Sequence, residues 1–215
     1  MIAPADFIMM EKYKLPLRIA EAEFTEKKSR FICHITPVAS ESEALSFISS
    51  VREKHREANH NVYAYRIRSN GIYRFNDDGE PSGTAGIPLM ETFLKQDICD
   101  FCCVATRYFG GVMLGAGGLV RAYARCGAVA LEASGVGLMR ELTLCAAKMP
   151  YSLYETAKRL LDNFSADIIS EDFSENITVK FLLLSEDLLS LQSKIAELTA
   201  GSVHIVAEGK QMGIL

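Results

Sequence analysis

The 215-residue chain has no excess of positive charge. It carries 23 Lys and Arg against 27 Asp and Glu, so no global basic field draws it to a nucleic acid. No apolar run approaches the length of a membrane span, and there is no internal repeat, low-complexity segment or long linker. Residues 1–14 hold no basic stretch leading into an apolar one, so no secretory signal is expected there. The cysteines form no disulfide framework. The six of them, Cys33, Cys99, Cys102, Cys103, Cys126 and Cys145, are scattered through apolar segments, as small hydrophobes are in a reducing compartment. Together these absences exclude a membrane-spanning protein and a disulfide scaffold, and they predict a cytoplasmic one.

What is present is enough for real cores, since 49% of the residues are apolar. The charge is unevenly spread. Residues 1–136 carry 16 basic and 16 acidic side chains, whereas residues 137–215 carry 7 and 11. Any surface for phosphate is therefore expected as a local patch on the first part, and a boundary is expected near 136–140. The predicted domains are 1–136 and 137–215.

Periodicity places the elements. Leu17–Phe24 and Ser29–Thr36 alternate as strands around the polar turn Thr25-Glu-Lys-Lys. Ser40 and Glu43 form a capping box for a helix ending near Arg56. Val62–Arg68 is a strand with Tyr63, Tyr65 and Ile67 on one face and Arg66 and Arg68 on the other. Asn70-Gly71 turns the chain into Ile72–Phe75. A two-residue turn would set Arg74 against Ile67, so a bulge or longer loop is expected. A helix opens near Thr84–Gly86, a strand follows over Ile98–Tyr108, and a long alanine-rich helix runs from about Gly117 to Ser134. From Arg140 the order is β-α-β-β-α-β, the ferredoxin-like arrangement.

Two glycine-rich blocks stand out: Phe75-Asn-Asp-Asp-Gly-Glu-Pro-Ser-Gly-Thr-Ala-Gly-Ile-Pro88 and Thr106-Arg-Tyr-Phe-Gly-Gly-Val-Met-Leu-Gly-Ala-Gly-Gly-Leu-Val-Arg-Ala-Tyr123. Each ends where a helical pattern begins. That is the local chemistry of a tight turn, and equally of a nest of N–H groups at a helix N-terminus that suits an anion. The second block is neither a P-loop, lacking Gly-Lys-Ser/Thr, nor a dinucleotide fingerprint, with Val120 where a small residue is needed. The anion reading makes Gly83, Thr84, Gly86, Gly110, Gly111, Gly117 and Gly118 candidate contacts, with Arg107, Tyr108 and Arg121 beside them. Lys28, Arg30, Arg66 and Arg68 are candidates for a basic strand face that takes RNA. The competing reading makes these arginines a solvated rim. Asp77, Asp78 and Glu80 fit turn chemistry, or act as counter-charges to the arginines, better than they fit a Mg²⁺ site. Cys99, Cys102 and Cys103 alternate on one strand with no fourth ligand, so no metal is expected. His55 and His60 flank a helix end and fit capping or packing. No Ser or Cys has an assignable base, so no catalytic residue is identified and no cofactor is expected.

Both blocks, with Lys28-Ser-Arg-Phe-Ile32 upstream, closely resemble the IMPACT family in its bacterial YigZ-type branch; the likeness spans roughly residues 20 to 135. The resemblance implies a mixed α/β (α+β) fold of two domains. The first is like ribosomal-protein domains with a left-handed β-α-β crossover, similar to the fourth domain of elongation factor G. The second is a ferredoxin-like domain similar to that factor's fifth. It further implies a non-enzymatic protein that binds RNA or the ribosome and acts in regulation of translation. Eukaryotic relatives act in translational control by inhibiting a stress kinase and carry an extra N-terminal partner-binding domain that this chain is expected to lack. Two alternatives stand beside this reading: an enzyme or sensor for a phosphorylated small molecule in the glycine-rich cleft, and a protein-interaction module using the acidic second domain. No membrane partner is expected, and the sequence fixes no oligomeric state.

Overall fold

A computed structural model describes residues 12–215. The expectation about a signal at residues 1–14 falls almost entirely outside the described residues. The chain forms two compact units that meet in sequence between Leu138 and Met139.

The first unit holds the short strand β1 (Tyr13–Pro16), tied to the body by a bridge from Lys14 to Ile98. Its sheet is built from β2 (Ala20–Glu26), β3 (Ser29–Pro37), β4 (His60–Ile67), β5 (Ile72–Asn76) and β6 (Phe101–Tyr108), in the order β2-β3-β6-β4-β5. All neighbours are antiparallel, so β3 and β4 run parallel with β6 between them, and helix α1 (Glu41–Lys54) makes the connection. Ser40 accepts from the Glu43 amide at 3.3 Å while Glu43 accepts from the Ala39 amide at 2.9 Å, so both groups satisfy free N–H donors at the helix start.

The sheet is two-faced because its strands alternate. Phe31, Cys33 and Ile35 point with Val62, Ala64, Cys103 and Ala105 towards helices α2 (Gly86–Leu94) and α3 (Ala116–Ser134). Tyr65, Ile67, Cys102 and Val104 pack on the other face against Ala44, Ile48 and Val51 of α1. Gly127 lets α3 approach α2, since a Cβ there would come 3.0 Å from the Cβ of Thr92.

The hairpin after β4 uses the longer loop. Ile67 pairs with Ile72 across four residues, so Ile67 keeps an apolar partner and Arg74 lies opposite Tyr65 instead. The strand expected from Ile98 begins only at Phe101, because Asp97 and Asp100 both take positive φ and break the extended run.

The second unit contains β7 (Val136–Met149) from Met139 on, α4 (Tyr151–Asn163), β8 (Asp167–Phe173), β9 (Ile177–Leu184), a single 3-10 turn (Ser185–Asp187), α5 (Leu188–Leu198) and β10 (His204–Gly213). The strands pair in the order β10-β7-β9-β8, all antiparallel, which is the ferredoxin-like sheet. Met149, Leu160, Leu161, Phe181, Leu183, Leu191 and Ile195 fill its core.

All six cysteines are free and buried. Burial pushes the Cys102, Cys103 and Cys126 thiols well above their usual range, and those of Cys99 and Cys145 up to about 11, so these five are poor nucleophiles. Among the described residues no helix is long and apolar enough to cross a membrane.

Candidate functional site

Strand register decides which of the candidate residues share a surface. Arg30 sits opposite Tyr108 at one end of β6, and Arg66 sits opposite Phe101 at the other. Seven residues of strand separate these positions by about 23 Å, so Lys28 and Arg30 do not form one basic face with Arg66 and Arg68. The last two are also engaged. Arg66 Nη1 donates to Asp97 and to the Ile98 carbonyl, and the Arg68 guanidinium lies 4.2 Å over the Tyr13 ring.

Both glycine blocks lie at the Arg30 end of the sheet, and a buried cluster joins them. Arg107 and Glu80 are only 5% and 8% exposed, and Arg107 Nη1 meets Glu80 Oε1 at 2.6 Å. The Tyr123 hydroxyl donates to the same oxygen at 2.8 Å, and Arg107 Nη2 donates to Ser29 Oγ at 3.3 Å. Burial first, then the Glu80 charge, pushes the Tyr123 phenol far above its ordinary pKa, so it remains a donor. Arg107 is thus placed differently from the surface role expected of it. Its side chain alternates onto the helix-covered face of β6, where a guanidinium is tolerated only with a carboxylate partner.

The first block is closed by its own acids. Asp77 Oδ2 accepts from the Gly83 amide at 2.9 Å, and Oδ1 accepts from Ala85 and Gly86 at 3.1 and 2.7 Å. The N–H groups of the expected nest, at the start of α2, are therefore satisfied by a carboxylate from eight or nine residues upstream. Thr84 donates from both its amide and its hydroxyl to the Pro81 carbonyl. Asp78 accepts from the Asn61 amide and from Arg52, each at 2.7 Å, and its carbonyl meets His60 Nδ1 at 2.8 Å. Gly83, Thr84 and Gly86 have no donor directed outward for a ligand.

The second block is arranged the other way. Gly110 is clamped to the β2–β3 turn, where any Cβ would overlap the Lys28 carbonyl, and its amide donates to Ser29 Oγ. Beyond it the chain turns through Gly111 and Gly115, both at positive φ, into α3, and no side chain caps that helix. Gly117 and Gly118 lie in its first turn. The Arg121 guanidinium folds back over that turn, with Nη1 placed 3.6 Å from where a Gly117 Cβ would be. Among the described residues Lys27, Lys28 and Arg121 have no acidic partner, whereas Arg30 is paired with Glu23 at 2.6 Å. A cavity of about 200 Å³ opens here, lined by Phe24, Lys27, Gly118, Arg121 and Arg125, with Glu26 as its one acid, 3.9 Å from Arg125. Phe109, Val112 and Met113 stand exposed on the loop, Met113 at 85%.

Arg125, four residues from Arg121 and on the same helix face in the sequence, joins this basic cluster, and Lys27 completes it without having been a candidate residue. The two lysines in the polar turn were the available signal, but nothing local says that this turn packs beside α3. Tyr108 faces the opposite side of the sheet, where its hydroxyl meets His55 Nδ1 at 3.0 Å. Among the described residues no three His, Cys, Asp or Glu side chains are grouped as metal ligands.

Comparison with known proteins agrees with this architecture. Residues 27–131 match the Impact N-terminal domain, and residues 148–202 match a domain of unknown function, DUF1949. The IMPACT family member YvyE of Bacillus subtilis is 36% identical over 198 residues, 92% of this chain and 91% of the relative. YigZ of Escherichia coli K12 is 29% identical over 201 residues, 92% of this chain and 98% of the relative. A crystal structure described as a hypothetical protein superposes with a TM-score of 0.58 at 28% identity, over 94% of this chain and 99% of that one. With two matched domains in order and a relative this similar over nearly its whole length, the chain belongs to the IMPACT family.

Proposed function

We propose that the chain binds RNA, on the ribosome or free, through the open end of its first domain, and acts in the regulation of translation in the cytoplasm. The observation that carries the reading is the uncapped start of α3 beside a cavity lined by Lys27, Arg121 and Arg125, with Lys28 packed against Gly110 next to it. A helix of 19 residues brings about half a positive charge to its N-terminus. Four cations against one acid add to it, although the 16 basic and 16 acidic side chains of residues 1–136 balance overall. The exposed Phe109 supplies a flat apolar surface of the kind on which bases stack.

The second reading, a phosphorylated small molecule, uses the same groups. The cavity of about 200 Å³ favours RNA between the two. It lies below the roughly 300–1,000 Å³ of ordinary ligand pockets, and three cations along its lining suit phosphate groups. Membership of a family whose eukaryotic members act in translational control supports the wider role. The six free cysteines suit a reducing compartment.

The test is fluorescence anisotropy of a labelled single-stranded RNA titrated with the full chain at several salt concentrations. The wild-type affinity is expected to fall steeply with salt. Lys27→Ala with Arg121→Ala should weaken binding to all sequences alike and flatten the salt slope by roughly one unit per lost phosphate contact. Unchanged binding by a folded double variant would reject this surface.

A further inference from the structure

The outermost strand of the first unit's sheet, β5, turns two aromatic rings out to solvent. Tyr73 is 55% exposed and Phe75 39%, and the only other exposed aromatic among the described residues of this unit is Phe109. Alternate residues of a strand share a face, so the two rings stand side by side, about 7 Å apart along the chain. Tyr73 lies opposite Arg66 and Phe75 opposite Ala64, which belongs to the core under α2 and α3. Both rings are therefore on that face, where α2 leaves them open. The rings of the neighbouring strand are already engaged: Tyr63 stacks on Tyr65 at 6.1 Å, and Tyr65 donates to Glu41. Tyr73 and Phe75 stack on no other ring among the described residues.

The charge around them is of one sign in the hairpin itself. From His60 to Asn76 there are three arginines and no Asp or Glu. Arg66 is met by Asp97 at 3.4 Å, and the Arg68 amide by Asp100, both from outside the hairpin. Arg74 has no acidic partner among the described residues. Its Nη1 donates to the Tyr73 carbonyl at 3.1 Å, which keeps the guanidinium beside the Tyr73 backbone. Rings left in water forgo the burial that aromatic side chains ordinarily gain. The partner that fits this edge supplies flat apolar surface and negative charge together. A single-stranded nucleic acid supplies both, in its bases and its phosphates.

We infer that Tyr73 and Phe75 form a base-stacking step that takes two consecutive nucleotides of a single strand, with Arg74 on the phosphate between them. Aromatic side chains on a sheet hold two or three bases of RNA in this way, and a spacing of about 7 Å suits one step of an extended strand. The inference rests on the RNA reading for its ligand, but the two surfaces contribute differently. The rings neutralise no phosphate, so they add affinity without adding salt dependence, whereas the cations at the start of α3 add both.

Tyr73→Trp tests the step directly. The chain has no tryptophan, so the only indole of this variant sits on β5. The same labelled single-stranded RNA titrated into the full-length variant is expected to quench its emission in step with the rise in anisotropy. Tyr73→Ala with Phe75→Ala should weaken binding by about tenfold or more at every salt concentration and leave the salt slope unchanged. Arg74→Ala should flatten that slope by roughly one unit. RNA that raises the anisotropy but leaves the indole emission unchanged, or a double alanine variant that binds as the wild type does, overturns the stacking step and leaves the basic surface standing. A wild-type dimer that the double alanine variant loses, with RNA affinity kept, overturns it in favour of a second copy of this chain at the edge. No RNA binding by the wild type at all would reject the RNA reading and this step together.

Discussion

Both glycine blocks leave a strand, turn through glycines at positive φ and deliver the start of a helix, yet they meet opposite electrostatic ends. At the first, Asp77 places a carboxylate on three amides around the start of α2, and Glu80 anchors Arg107. The block is an anion site already holding its own anion. At the second, the helix start has no side-chain cap, and the cations around it outnumber the acids. A glycine-rich loop before a helix thus specifies a geometry, and the nearest carboxylate decides whether that geometry is structural or free for a partner.

The two arginines that flank the second block make the sharpest contrast. Arg107→Ala leaves Glu80 buried without its partner and should cost about 3–5 kcal/mol in urea unfolding, or prevent folding. Arg121→Ala removes an exposed cation with no acidic partner among the described residues and should change stability by less than about 0.5 kcal/mol. A nearly neutral Arg107→Ala would break the distinction between the closed and open blocks.

Asp77→Ala should empty the first nest. The loss of one carboxylate that satisfies three amides is expected to destabilise by about 1–3 kcal/mol. Added phosphate should restore part of that loss in the variant by occupying the vacated amides, and should give the wild type no gain at that block. Thermal denaturation with and without phosphate reads both.

A pH-dependent effect comes from the other face of the sheet. The unfolded His34 takes its proton near pH 6.5 and the folded one only at about pH 4. Across that window the unfolded chain binds more protons, so stability is fully present above pH 6.5, falls as the pH drops towards 4, and then levels off. His34→Gln should flatten this part of a stability–pH series; an unchanged slope would show that other groups carry it.

Much of the fold was legible because its signals are local. The alternation in β3 and β4, the Ser40–Glu43 box and the β-α-β-β-α-β order each lie within a few residues or a simple run of elements. Alternation predicts a strand from Ile98, but it starts only at Phe101 because Asp97 and Asp100 adopt left-handed conformations that composition does not announce. The site was only half legible. Glycine blocks and nearby arginines are visible in sequence, but whether Arg107 faces α3 or solvent depends on the parity of β6. That Lys28 and Arg66 lie at opposite ends follows only from pairing through β6. His34 and His55 meet across 21 residues with no sequence signal at all.

The central claim, one closed block and one open, is tested most directly by titrating inorganic phosphate into the ¹⁵N-labelled chain and following backbone amides. The account predicts progressive shifts at Ala116, Gly117 and Gly118, with Gly83, Ala85 and Gly86 unmoved. Shifts at the first block, or a second block that does not respond, would contradict it.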